Sequence, residues 1–237
     1  MSRSLWATFL ILITLLPLSQ AEETGPAPEP PQPTVDDNAL MNENNAIFDD
    51  KHLLNGYAQK YGSEPLEIIL EMIKDDTLTS YKTAAAVRVF REQFSEQVFS
   101  KDKILVEKYL LRRLNITDSS FVQVEIMHTL CLMDRYRYFN PMVPFLIQKL
   151  DHYNTAVDDL AFHALEDILY KNTNRAYEAR LVFNTLRKVL FLSRKRLANV
   201  KEPNQKLKQK LDLLRWSIKI LGTEELKRLP SEVIKLL

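Results

Sequence analysis

Cysteine, glycine and net charge are all scarce in this 237-residue chain, which has one cysteine, four glycines and a formal net charge of +1. A lone cysteine, Cys131, cannot form a disulfide within the chain, so the fold has to be held by packing. Few glycines mean few tight turns, which is typical of a helical protein. Because the net charge is near zero, we expect no bulk attraction to nucleic acid.

The sequence motifs of common catalytic sites are missing as well. The chain has no glycine-rich phosphate loop, no His-Glu-x-x-His zinc helix and no nucleophile elbow. His128 and His163 recur 35 residues apart with Glu166 nearby, but a metal site usually needs three or four ligands. We therefore expect a protein that is not an enzyme and has no cofactor or metal. A metal-assisted enzyme is the second alternative.

The N-terminal apolar run is shorter than the roughly 20 residues that span a bilayer. Residues 1–21 combine Arg3, this apolar run and small residues up to Ala21, which is the three-part pattern of a signal peptide. We expect cleavage after Ala21 and an exported protein, periplasmic or secreted. Residues 22–48 are rich in proline and acidic residues, which predicts a disordered leader.

From residue 49 onward, apolar residues recur at helical spacing in successive pairs of helices. Equivalent apolar positions lie 41 and 36 residues apart in the first helices, and 40 and 35 residues apart in the second helices. These positions are Ile73, Leu114 and Leu150 in the first helices, and Phe90, Leu130 and Leu165 in the second helices. A period of this length is typical of stacked helix-pair repeats.

The repeat pattern defines one domain over residues 49–237. The predicted helix pairs and the C-terminal cap occupy residues 63–98, 100–134, 140–171, a divergent pair at 175–222, and 223–237. The end segments differ from the regular units because terminal repeats must cover the open face of the stack.

The most regular unit is 140–171. Its first helix is predicted to begin at Asn140-Pro141, because Asn can cap free amides and Pro lacks an N–H. The motif residues of this unit are Pro144-Phe145-Leu146, the ending Leu150-Asp151, and the frame Val157, Ala161, Ala164 and Leu165. This arrangement resembles a HEAT repeat, although Asp158 stands where that family usually has a basic residue.

The resemblance to HEAT repeats implies an all-α fold, a right-handed α-solenoid of about three to four antiparallel helix pairs. It also implies an interaction module, so we expect a non-catalytic scaffold or adaptor that binds another protein, as a monomer or weak oligomer. In such a stack the second helices line the inner surface, where partners bind.

One second helix, 119–134, is apolar around its whole circumference, and two interpretations remain open. It is either an inner-surface binding groove or an interior helix covered by another segment. The groove interpretation makes the following residues partner-binding candidates: Val124, Met127, His128, Cys131, Phe162, His163, Glu166 and Tyr170.

Charge is distributed unevenly along the chain. Residues 22–79 contain 13 acidic and three basic residues, a net charge of −10, whereas residues 187–237 contain 14 basic and five acidic residues, a net charge of +9. The basic end suggests the first alternative function, an envelope component that docks on an anionic membrane or polymer. The candidate anion-binding residues are Arg194, Lys195, Arg196, Lys206, Lys208 and Lys210.

Overall fold

A computed structural model describes residues 50–170 and 175–237, and every regular element in these two ranges is helical. The predicted signal peptide (1–21) and leader (22–48) lie outside the described residues. The elements are, in chain order, α1 Asp50–Tyr61, α2 Leu66–Lys74, α3 Ser80–Val89 with a π-helical turn Phe90–Phe94, α4 Ser100–Ile116, α5 Ser120–Met133, α6 Arg135–Lys149, α7 Thr155–Tyr170, α8 Ala176–Leu197, α9 Gln205–Leu221, a 3-10 turn Thr223–Arg228, and α10 Ser231–Ile234.

Helices that follow one another pack as pairs: α2 with α3, α4 with α5, α6 with α7, and α8 with α9. The second helices also contact each other, α3 with α5 and α5 with α7. Among the first helices, α2 packs on α4 and α6 packs on α8, while α1 lies against α3 and α10 against α8. The predicted all-α class and its packed helix pairs are confirmed.

Helix α5 lies at the centre of the fold. It contacts α3, α4, α6 and α7, and its apolar residues Val122, Ile126 and Leu130 have no exposed surface. A helix that is apolar on every side requires this kind of enclosure. The sequence left open whether one further segment covers α5; the structure instead places it between four neighbouring helices.

The predicted start of the third helix pair is wrong by five residues. Helix α6 begins at Arg135, and the Asp134 carboxylate caps it by accepting a hydrogen bond from the Arg137 amide at 3.1 Å. The Asp134 amide also donates to the Leu130 carbonyl at the end of α5. One residue therefore closes one helix and opens the next.

Two prolines consequently lie inside α6, at Pro141 and Pro144. Each lacks an N–H, which leaves the carbonyl four residues earlier without its helical hydrogen bond. These carbonyls belong to Arg137 and Asn140, and both residues are exposed. Water can therefore solvate the two carbonyls, so the sequence signal at Asn140-Pro141 does not mark a helix start.

This assignment of the cap can be tested by its effect on stability. Replacing Asp134 with Ala should lower the free energy of unfolding by about 1 kcal/mol, because the first-turn amide of α6 loses its acceptor. Asn140→Ala is the matched control and should change stability by less than about 0.5 kcal/mol. Urea unfolding of both variants measures the difference. The reverse order of effects would show that the helix starts at Asn140.

Candidate functional site

The predicted partner-binding residues do not form one open surface. Val124 and Cys131 are fully enclosed, and Met127 and His128 are 4% and 6% exposed. Of the two interpretations that the sequence left open, the apolar strip of α5 is therefore not an open groove, because neighbouring helices cover it. The buried Cys131 thiol lies 3.7 Å from the Tyr138 carbonyl, and burial raises its pKa to about 12, so it is not a reactive thiol.

The four candidates on α7 have a different environment. His163 and Tyr170 are exposed, and Phe162 and Glu166 are partly exposed. His163 Nδ1 lies 3.2 Å from Glu166 Oε2, one turn along the same helix. The Tyr170 ring packs edge-on against Trp216 of α9, with the ring centroids 6.2 Å apart. These side chains are at least partly accessible, and His163 lines the same pocket as His128 of α5.

A pocket of about 390 Å³ lies on the side of the second helices, between α1, α3, α5 and α7. We call it the inner pocket. Its lining includes the polar and charged residues Arg88, Arg91, His128, Asp159, His163 and Asp167.

A buried carboxylate lies behind the inner pocket. Glu125 of α5 has no exposed surface, and it accepts hydrogen bonds from Arg88 Nε at 2.7 Å and from Arg91 Nη1. Burial acts to raise the pKa of Glu125, but the guanidiniums of Arg91 and Arg88 offset this effect, and the pKa lies below its usual value. The carboxylate therefore remains charged and ties α5 to α3.

One turn along α5 from Glu125, His128 Nε2 lies 2.9 Å from Asp167 Oδ2 of α7. Burial lowers the pKa of His128, although the hydrogen bond to Asp167 acts in the opposite direction. A neutral His128 donates its Nε2 proton to Asp167. The hydrogen bonds of Glu125 and His128 therefore link α5 to α3 and to α7. Polar groups that make these bonds within the protein are less available to a ligand.

The described residues contain no group of three or more histidine, cysteine, aspartate or glutamate side chains placed to hold a metal ion. His128 and His163, the pair that recurs in the sequence, bond to different carboxylates, Asp167 and Glu166 respectively. A metal site built on these two histidines therefore has no geometric support.

A larger cleft, of about 750 Å³, opens on the opposite side, between the first helices α4 and α6. These helices touch where Arg137 Nη1, near the N-terminal end of α6, lies 2.8 Å from Glu107 Oε1 in the middle of α4. The cleft lies farther along both helices, and its floor is Gln123 and Met127 of α5. We call it the α4–α6 cleft.

The walls of the α4–α6 cleft are mainly apolar. They include Leu114 of α4, and Pro141, Met142 and Phe145 of α6. Phe145 is 56% exposed, because the apolar side of α6 is broader than the surface that α7 and α8 cover. A pocket of this size with apolar walls and a few polar groups is typical of a binding site.

One cation of the α4–α6 cleft, Lys149, has no acidic partner among the described residues. Lys149 Nζ donates to Ser120 Oγ at 2.9 Å and to Gln123 Oε1 at 2.7 Å. Burial lowers the pKa of Lys149, and the described part of the chain supplies no carboxylate to offset this effect. A carboxylate brought by a ligand would find a charged donor here.

Ser120, His152 and Lys149 lie together at the edge of the α4–α6 cleft, but their hydrogen bonds do not form a nucleophile. His152 Nδ1 accepts from the Asn154 amide at 3.1 Å, so in the neutral ring Nε2 carries the proton. That nitrogen lies 3.1 Å from Ser120 Oγ and donates to it. A histidine that donates to the serine cannot remove its proton.

Two of the predicted anion-binding lysines are already paired. Lys206 Nζ lies 2.8 Å from the buried carboxylate of Asp158, and Lys210, itself 7% exposed, pairs with Asp151. The ion pairs of both lysines therefore link α9 to the helix pair α6–α7. The remaining candidates Lys208, Lys195 and Arg196 are exposed, and Arg194 is partly exposed.

Sequence reasoning missed the α4–α6 cleft. The available signal was the apolar stripe of α6, which is broader than one packing neighbour can cover and includes Met142 and Phe145.

Comparisons with family models, curated proteins and solved structures give no match for this chain. Within the described ranges, each helix is too short or too polar to cross a bilayer.

The buried ion pairs of Glu125 predict a pH-dependent loss of stability on mutation. Glu125→Gln should lower the free energy of unfolding by about 3 kcal/mol at neutral pH, because two poorly solvated guanidiniums lose their counter-charge. The folded-state pKa of Glu125 is depressed, so its stabilisation is present above about pH 4.3, the ordinary glutamate pKa, and is lost as the pH falls through the folded-state pKa. Urea unfolding of wild type and variant across this range measures the effect.

The matched control is Glu92→Gln. The Glu92 carboxylate also contacts Arg91, at 3.3 Å, but it is 58% exposed. Its replacement should change stability by less than about 1 kcal/mol, because exposed ion pairs contribute little. Equal effects of the two substitutions, or a Glu125→Gln effect that grows towards acid pH, would contradict the role given to Glu125.

Proposed function

We propose that the protein is a non-catalytic binding module, a HEAT-like helical stack that binds another protein through the α4–α6 cleft. The observation that carries this proposal is the size and apolar lining of the cleft, with the half-exposed Phe145 in its wall. The contacts of α3 with α5 and of α5 with α7 support the stacked-repeat interpretation. The export predicted from residues 1–21 is part of the same proposal.

The flanking helices favour an amphipathic helix as the bound element. A helix is about 10 Å across with its side chains, and it can lie along two parallel neighbours with its apolar residues inserted between them. Anchors at i, i+3 or i+4, and i+7 would meet Met127, Met142 and Phe145. The exposed Tyr153 at the cleft edge offers a further aromatic contact.

The acidic residue in the cleft lining, Asp151, is already paired with Lys210, so Lys149 sets the charge preference for the partner. Its ammonium group is partly buried and has no carboxylate partner in the described residues, so an acidic side chain on the bound helix would gain a charge-assisted hydrogen bond. A basic side chain at the same place would be repelled. The preferred partner is therefore an amphipathic helix that carries Asp or Glu beside its apolar face.

The inner pocket is a weaker candidate for the same function. Its lining cations Arg88 and Arg91 are already paired with the buried Glu125 behind it. It is also about half as large, at 390 Å³ against 750 Å³. A ligand there would have to compete with the internal ion pairs of the protein.

Selection of peptides from a displayed random library tests the proposal without a known partner. Panning on the purified protein should enrich sequences that have apolar residues at helical spacing together with Asp or Glu. Lys149→Glu should weaken the enriched peptides by about tenfold or more, which corresponds to about 1.4 kcal/mol. Panning on that variant should enrich Lys or Arg instead, because the attracting charge is reversed.

The matched control is Lys219→Glu, which makes the same charge change at an exposed position of α9. It should leave the affinity of the selected peptides within about twofold, because distant exposed charges are screened by salt. Phe145→Ala tests the apolar wall and should also weaken binding. Selected peptides that bind the Lys149 and Phe145 variants as tightly as wild type would contradict the proposal.

A further inference from the structure

The second half of α8 has an exposed surface that combines apolar and basic side chains, and we call it the α8 patch. Leu192 is 83% exposed and Phe191 is 49% exposed. Lys188, Lys195 and Arg196 are exposed around them. These residues follow the i, i+3, i+4, i+7 spacing, so they share one side of the helix. The opposite side of α8 carries Leu186, Leu190 and Leu197, which are buried in the core.

The cations of the α8 patch have no acidic partners in the described part of the chain. Lys188, Lys195 and Arg196 form no ion pair with the acidic residues of the two described ranges. The chain from residue 181 to residue 201 contains six basic residues and no acidic one. The cations of the α8 patch thus differ from Lys206 and Lys210, which form ion pairs with Asp158 and Asp151 of the same protein.

The combination of side chains distinguishes a lipid surface from a soluble polyanion. Cations alone would attract either one. Contact through an exposed leucine and a neighbouring exposed phenylalanine is favourable only where their apolar surface is removed from water. The boundary between headgroups and acyl chains is such a place. Arg194, which lies 4.0 Å from the Phe191 ring centroid, adds a further cation next to this apolar pair.

We propose that the α8 patch docks the protein on the surface of an anionic lipid bilayer. Leu192 and Phe191 enter the boundary between headgroups and acyl chains, while Lys188, Lys195 and Arg196 lie at the level of the phosphates. Helix α8 lies along the membrane plane and does not cross it. This docking is independent of the α4–α6 cleft, because it uses different residues on a different helix.

Vesicle cosedimentation of the purified protein tests this proposal. The protein should bind phosphatidylcholine vesicles that contain phosphatidylglycerol and should not bind pure phosphatidylcholine vesicles. Each cation near an anionic surface contributes about fivefold to partitioning, so the triple variant Lys188→Gln, Lys195→Gln, Arg196→Gln should bind roughly a hundredfold more weakly. Leu192→Ser should weaken binding by about tenfold, because it removes the apolar contribution.

A second triple variant controls for total charge. Lys60→Gln, Lys108→Gln and Lys219→Gln remove the same charge from exposed positions on other helices, and this variant should bind the anionic vesicles nearly as well as wild type. Circular dichroism should show unchanged helical content in every variant. Absence of binding to the anionic vesicles, an equal loss in both triple variants, or binding that Leu192→Ser leaves unchanged would each overturn the proposal.

Discussion

The enclosure of the Glu125 carboxylate between two guanidiniums is the interaction on which the arrangement of the second helices depends. Helix α5 is surrounded by four neighbours, and most of its contacts are apolar and therefore non-directional. A buried carboxylate is unfavourable unless it is paired. Arg88 and Arg91 of α3 supply that pairing, and the His128–Asp167 hydrogen bond supplies a second directional contact, to α7. Together they fix how α3, α5 and α7 are placed.

This pairing has a consequence for function. The polar groups on the side of the second helices are occupied with one another, so that side offers little free binding capacity. On the side of the first helices, α4 and α6 touch at Glu107 and Arg137, and the α4–α6 cleft opens farther along. The apolar walls and the cation Lys149 are the reasons why we propose a binding surface on the side opposite the one that repeat periodicity suggests.

The periodicity of apolar residues predicted the all-α class and the helix pairs. A helix that buries one side has apolar residues at i, i+3, i+4 and i+7, and this spacing can be read from the sequence. It could not predict pairings between distant residues, such as Lys206 with Asp158 or Lys210 with Asp151. Those lysines look like solvated surface charge until α9 is placed beside α7. The cap at Asp134 was missed for a local reason, since Asn140-Pro141 carries an equally good start signal.

The candidate site was less predictable than the fold. The apolar circumference of α5 is consistent with either an open groove or an enclosed helix, and only the placement of its neighbours decides between them. Phe145 reads as one more residue in a core stripe, whereas in the structure it is 56% exposed. A cleft between two helices depends on their separation, and the periodicity of each helix carries no information about that distance.

The central claim, that partners bind in the α4–α6 cleft, is tested most directly by methyl NMR of the methionines, of which the chain has six. Met127 and Met142 line the cleft, whereas Met72 and Met133 are buried elsewhere in the core. On titration with an acidic amphipathic peptide that binds the protein, we expect the Met127 and Met142 methyl signals to shift and the Met72 and Met133 signals to stay unchanged. Binding that leaves Met127 and Met142 unshifted would contradict it.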